Sequence, residues 1–191
     1  MPLLLGSLTR TYAGVRSSWQ QPGRFGKRET NGRKEKATRP VKWQFPEQGF
    51  IKINTDRAAL GNPGRAGFGG LIRESSSNWI KGYYGFIGHS TSLMAELRGI
   101  REGMKLAATI GFDKVIVESD CDVAIKLLSY PNTKVNHFKE IIEDCEEYEG
   151  TFQVCMFNHV FREANACADF LASVGVNQEE KLVIKERSIP G

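Results

Sequence analysis

FIKINTDRAALGNPGRAGFGGLIRE, residues 50–74, is the stretch on which the reading of this chain turns. Ile51, Ile53 and Thr55 alternate with Lys52, Asn54 and Asp56, the period of two expected of a strand with unlike faces. Asn62-Pro63-Gly64 is strong turn chemistry, and the apolar Leu71-Ile72 closes a glycine-rich second strand. A Ser-Ser-Ser-Asn turn then leads into the aromatic run WIKGYYGFIG, residues 79–88. The three runs predict an antiparallel meander, entered through the aromatic, proline-bearing WQFPEQGF from Trp43.

From Thr91 the period changes. Leu93, Leu97, Ile100, Met104 and Ala107 step by four and three, which predicts a helix of about 15 residues, capped by Ser90 or Thr91 and stopped by Gly111. Beyond it, KVIVESD (114–120) reads as a strand, DVAIKLL (122–128) as a short helix and residues 135–149 as a longer acidic helix. FQVCMFNHVF (152–161) is a final strand and ANACADFLASVG (164–175) a final helix. Helices between successive strands of the second half permit parallel pairing. The expected fold is therefore α/β: a mixed five-stranded sheet, three antiparallel strands then two parallel, with helices on both faces.

Four acids hold distinctive places in this order. Asp56 and Asp120 end apolar strands, Glu96 lies one position off the helical stripe, at the edge of the buried face, and Asp169 sits near the start of the last helix. Gathered at one end of a sheet, four carboxylates raise each other's pKa, and a fold that assembles them does so around cations. A magnesium-dependent phosphodiester-cleaving site is the reading that follows. Taken singly, each acid has a plainer explanation, as a strand-ending turn residue, a solvated helix edge or a first-turn acid favoured by the helix dipole.

The segments NTDRAALGNPGRAGFGGLIRE, MAELRGIREGMKLA, VIVESDCDVAIKLL and HVFREANACADFLA, in that order, resemble type 1 ribonuclease H. Their wording is most like plant ribonuclease H-like domains related to the reverse-transcriptase-associated domain of retroelements. The resemblance covers about residues 43–176. It implies a ribonuclease H-like fold, with Asp56, Glu96, Asp120 and Asp169 as the catalytic, metal-binding carboxylates. It also implies Mg2+, with Mn2+ as a substitute, and an RNA/DNA hybrid as the nucleic-acid partner, its RNA strand cut by two-metal phosphodiester hydrolysis.

Other residues become candidates for contact with nucleic acid. Asn62 and Gly64 stand in the turn after the first acid, and Thr91 and Ser92 stand where some relatives carry hybrid-contacting asparagines. Arg162 is placed to face phosphate, and Asn165 either contacts substrate or caps the last helix. His159 is either a proton carrier near the last acid or a packed strand histidine. Two residues depart from the family pattern. Arg57 replaces a small residue, and its cation can bind the scissile phosphate, pair with a carboxylate or point away; Asp122 adds a charge that repels phosphate. These departures support a second reading, a catalytically weak or inactive nucleic-acid-binding domain derived from a retroelement. A third is a protein-interaction domain whose acidic helix meets a basic partner.

Charge divides the 191 residues unevenly. Residues 1–40 hold nine Lys or Arg against Glu29 and Glu35, +7 in a chain whose total is +4, so the remainder is −3. Affinity for phosphate argued from composition rests on that segment. The chain divides into a basic disordered tail or organellar targeting segment (1–42), the ribonuclease H-like domain (43–176) and a C-terminal tail (177–191). Cys121, Cys145, Cys155 and Cys167 have neither close pairing nor metal-ligand spacing, and read as free thiols of a reducing compartment. No run is long and apolar enough for a membrane helix. The expectation is a soluble intracellular protein in nucleus, cytoplasm or organelle.

Overall fold

The structure is a computed structural model that describes residues 42–186, apart from Ser77 and residues 131–135. The basic segment up to residue 41, the first residue of the expected acidic helix and the last five residues lie outside that range.

The elements are β1 (Ile51–Gly61), β2 (Gly64–Glu74), β3 (Trp79–Ser90), α1 (Ser92–Ile110), β4 (Lys114–Ser119), α2 (Asp122–Ser129), α3 (Lys139–Glu149), β5 (Val154–His159), α4 (Ala166–Val176) and β6 (Val183–Lys185). They build one sheet in the order β5-β4-β1-β2-β3-β6. β1, β2 and β3 form the antiparallel meander, and β4 and β5 run parallel to β1. The expected class is present, with a correction: the sheet has six strands, not five. β6 pairs antiparallel with β3 at Gly82–Tyr84, inside the segment expected to be a tail. It is three residues long, between Leu182 and Glu186, too short to show a period.

Glycine explains how the helices come so close to the sheet. A Cβ on Gly69 would stand 2.2 Å from the backbone nitrogen of Ala172, and one on Gly67 2.5 Å from that of Val176, so α4 lies directly on the backbone of β2. On the opposite face α1 packs against Ile53, Thr55 and Phe68, with Gly99 and Gly103 at the contact. The buried Tyr83 donates its hydroxyl to the Gly99 carbonyl at 3.0 Å. Leu97, Ile100, Met104 and Ala107, the stripe read from sequence, are fully buried in the main core with Ile53, Phe68, Val115 and Val117. Thr91 caps α1, accepting from the Met94 N–H at 3.2 Å, and Gly111 ends it at φ 89°.

The aromatic entry segment has a defined job. Trp43 lies under the Arg73 guanidinium, 3.5 Å from ring centroid to carbon, and Arg73 donates to Asn54 Oδ1 at 2.7 Å. Asn54 donates in turn to Glu118 at 2.8 Å, and Glu118 pairs with Lys52 at 2.5 Å. This buried polar network fixes β1 against β4 two residues before each strand reaches its acid.

Candidate active site

Asp56 and Asp120 are neighbours because of strand register. The parallel β1–β4 ladder ends at Thr55 opposite Ser119, so the next residue on each strand is an aspartate. β4 stops there, whereas β1 continues to Gly61 on its pairing with β2 alone. Asp56 thus lies in the middle of a strand, not at its end, beside a gap where β4 no longer covers it. Through this gap Glu96, carried by α1 on one face, reaches acids that the sheet presents from the other. One carboxylate oxygen each of Asp56, Glu96 and Asp120 lies within 4.8 Å of the other two.

Asp56 and Glu96 are buried, at 2% and 0% exposed, and Asp120 is partly exposed, its side chain at 17%. Glu96 is fully buried where the sequence suggested an edge, with the Arg57 guanidinium and the Ser119 hydroxyl against its two oxygens. Desolvation pushes the Asp56 carboxyl up to about 6, with the nearby Asp120 charge adding to it and the Arg57 N–H, donated to Oδ1 at 2.8 Å, opposing it. Glu96 is pushed up to about 8, again chiefly by desolvation; the Ser119 hydroxyl, donating to Oε1 at 2.6 Å, opposes the rise. Ser119 accepts the Cys121 N–H at 2.9 Å, which leaves its proton for Glu96. Sequence reading passed over Ser119, yet the parity of β4 places it beside Val117 on the α1 face, beneath Glu96.

Asp56 Oδ2, Glu96 Oε2 and Asp120 Oδ1 are buried without a hydrogen-bond partner among the described residues. Unpaired buried oxygens at this density are costly. An all-oxygen donor set of converging carboxylates fits a hard divalent cation, and magnesium or manganese would be held by these three residues.

Asp169 stands apart from this trio. It is half-exposed and accepts from Arg162 at 2.9 Å, although its charge contributes to the raised pKa of Asp56. Arg57 sits among the acids, its Nη1 3.8 Å from Asp56, 3.5 Å from Glu96 and 3.9 Å from Asp120. Asn165 is 1% exposed and donates to the Thr55 carbonyl at 2.8 Å, bracing α4 against β1. Asn62, Thr91 and Ser92 do come together: Asn62 Oδ1 accepts the Ser92 N–H at 3.0 Å, joining the β1–β2 turn to the start of α1. Gly64 is demanded by that turn, since a Cβ there would lie 2.1 Å from the Leu60 carbonyl oxygen. His159 Nε2 is 3.1 Å from the Asp120 carbonyl oxygen. Asp122, on α2, pairs with Lys126 at 2.5 Å. Sequence reading also missed a groove at the end of β3, lined by Phe86, Ile87, Ser90, Met94, Arg98, Glu179 and Lys181.

The family described as reverse transcriptase-like matches residues 54–175. An Arabidopsis thaliana protein, provisionally named a ribonuclease H protein, is 32% identical over 135 residues; these make up 71% of this chain and 22% of that relative. The crystal structure of ribonuclease H1 from the halophilic archaeon Halobacterium salinarum NRC-1 superposes with a TM-score of 0.64 at 25% identity, covering 67% of this chain and 98% of that one. LC11-RNase H1, solved in complex with an RNA/DNA hybrid, superposes at 0.62 and 26% identity, covering 66% and 96%. The chain thus spans about a fifth of its plant relative and nearly all of the two ribonuclease H1 chains.

Proposed function

The chain belongs to the reverse transcriptase-like family and is of ribonuclease H type, and from that premise we propose that it is a magnesium-dependent endoribonuclease that cuts the RNA strand of RNA/DNA hybrids. The observation that carries the reading is the meeting of Asp56, Glu96 and Asp120 within 4.8 Å, with orphaned buried oxygens. A bound divalent cation supplies an activated water and charge stabilisation for the leaving 3′ oxygen, so no protein nucleophile is needed.

The chain's own residues supply position. Ser119 fixes one oxygen of Glu96 and turns the other towards the aspartates. The Arg57 N–H fixes Oδ1 of Asp56 and leaves Oδ2 free. Asp169 becomes a fourth ligand when Arg162 releases it. Asn62, Thr91 and Ser92 offer polar groups to a backbone phosphate beside the start of α1, where the helix dipole favours an anion. The hybrid bound by LC11-RNase H1 supports the same substrate class here. The basic segment 1–40 adds salt-sensitive, nonspecific affinity.

A second reading, a nucleic-acid-binding domain of weak or no activity, is favoured by one observation: Arg57 already places a cation among the acids. Incubating the full chain with labelled hybrid in Mg2+, beside a gel shift in chelator, separates the two. Magnesium-dependent cleavage establishes the first; a shift without cleavage establishes the second.

A further inference from the structure

Arg57 follows Asp56 on β1 and, by strand parity, starts out on the opposite face from it. Its long side chain nevertheless brings the guanidinium within 4 Å of Asp56, Glu96 and Asp120. The guanidinium nitrogen Nη1 lies 3.5–3.9 Å from Asp56 Oδ1, Glu96 Oε2 and Asp120 Oδ1. All three distances exceed a good hydrogen bond, and Glu96 Oε2 and Asp120 Oδ1 have no hydrogen-bond partner among the described residues. The cation is therefore held by charge alone, without the bidentate geometry that makes arginine–carboxylate pairs strong. Its side chain is 33% exposed, whereas that of Glu96 is 0%: the acids are fixed in the protein and the arginine has a route to solvent.

We infer that Arg57 is the resident counter-cation of the acid cluster, a built-in competitor that a divalent metal ion must displace. The inference rests on the metal-binding reading of Asp56, Glu96 and Asp120. It assigns Arg57 neither to the chemistry nor to passive packing. The arginine makes the buried Asp56 and Glu96, with the partly exposed Asp120 beside them, tolerable without metal, and for the same reason it weakens their hold on metal. A guanidinium cannot lose its proton to make way, so competition is settled by movement of the side chain alone.

The test is Mn2+ binding to the full chain, measured from the free-ion electron paramagnetic resonance signal, for the wild type, Arg57→Gln and Arg57→Lys. Thermal melts in chelator and in Mn2+ accompany the titrations. Removing a positive charge less than 4 Å from all three ligands is expected to tighten Mn2+ binding by roughly tenfold or more. Arg57→Lys, which keeps the charge, should stay within a few-fold of the wild type. In chelator Arg57→Gln should melt below the wild type, and in Mn2+ the order should close or invert, a crossover that a packing role would not produce. Equal or weaker Mn2+ binding by Arg57→Gln overturns the inference while leaving the metal site standing. Absence of Mn2+ binding in all three proteins overturns both.

Discussion

Replacing Asp56 by Asn should stabilise the metal-free protein while removing its response to magnesium. Asn keeps the Oδ1 acceptor used by the Arg57 N–H at 2.8 Å and discards the charge. In the folded chain the Asp56 carboxyl is raised from 3.8 to about 6, so folding favours its protonated form. The sign follows from linkage: the penalty is absent below the unfolded value, grows as pH rises between 3.8 and about 6, and is complete above that. At about 1.4 kcal/mol per unit, ionised Asp56 costs the metal-free fold about 3 kcal/mol at pH 8. Glu96, pushed up to about 8 chiefly by desolvation and in part by the Asp56 charge, is relieved by the same substitution, while burying the neutral amide offsets part of the benefit, so the gain expected from Asp56→Asn is about 1–3 kcal/mol. For a domain of this size that corresponds to a rise in Tm of roughly 3–10 °C. The assay is a pair of melting series in chelator from pH 4 to pH 8, repeated at pH 8 with Mg2+. The variant's advantage should be near zero at pH 4, grow through pH 6 and vanish in Mg2+. An advantage independent of pH, or a variant less stable at pH 8, would refute the argument that the fold holds Asp56 against desolvation and the repulsion of its neighbours.

Three further outcomes follow from the geometry. Ser119→Ala removes the hydroxyl that donates to Glu96 Oε1 at 2.6 Å, and should cost about 1–3 kcal/mol and raise the Mg2+ concentration needed for half-maximal cleavage several-fold; melts and a magnesium titration check it. Gly69→Ala forces a Cβ to 2.2 Å from the Ala172 nitrogen, and should lower stability by about 3 kcal/mol in denaturant titration, with an unchanged midpoint disproving the direct seating of α4 on β2. Deleting residues 1–40 removes +7 of charge, and should flatten the plot of log affinity for hybrid against log salt by about 0.9 for every phosphate that the segment neutralises, leaving metal-dependent chemistry in the body; equal slopes would show that the segment does not touch nucleic acid.

The fold was legible where periodicity was long. Ile51 to Thr55 and Leu93 to Ala107 carry enough repeats to fix a strand and a helix, and the turn residues between them fix the meander. β6 was not legible, because Val183–Lys185 spans less than two full alternations and its pairing with β3 is a matter of tertiary proximity. The length of β1 was misjudged for a related reason. Asp56 looks like a strand end, since Arg57-Ala58-Ala59 has no alternation, yet the hairpin to β2 carries the ladder on to Gly61. Within the site, the types and order of Asp56, Glu96 and Asp120 were readable, but the burial of Glu96 was not, because it depends on where β4 ends. The position of Arg57 was readable only as one of three alternatives: pairing with a carboxylate is the one found, although strand parity starts its side chain on the face opposite Asp56. Asp169, readable as a helix-start acid, gave no sign of its partner Arg162, seven residues earlier across a bend.

The central claim is that Asp56, Glu96 and Asp120 form a magnesium site that cuts RNA paired to DNA. Its most direct test is a cleavage time course on an end-labelled RNA/DNA hybrid, with single-stranded RNA and duplex DNA beside it, for the wild type and for Asp120→Asn at matched melting temperature. The account predicts magnesium-dependent cuts in the RNA strand of the hybrid by the wild type, none in chelator, and loss of at least about a hundredfold in rate for Asp120→Asn. Cleavage by Asp120→Asn at the wild-type rate, or no cleavage by the wild type at any magnesium concentration, would contradict it.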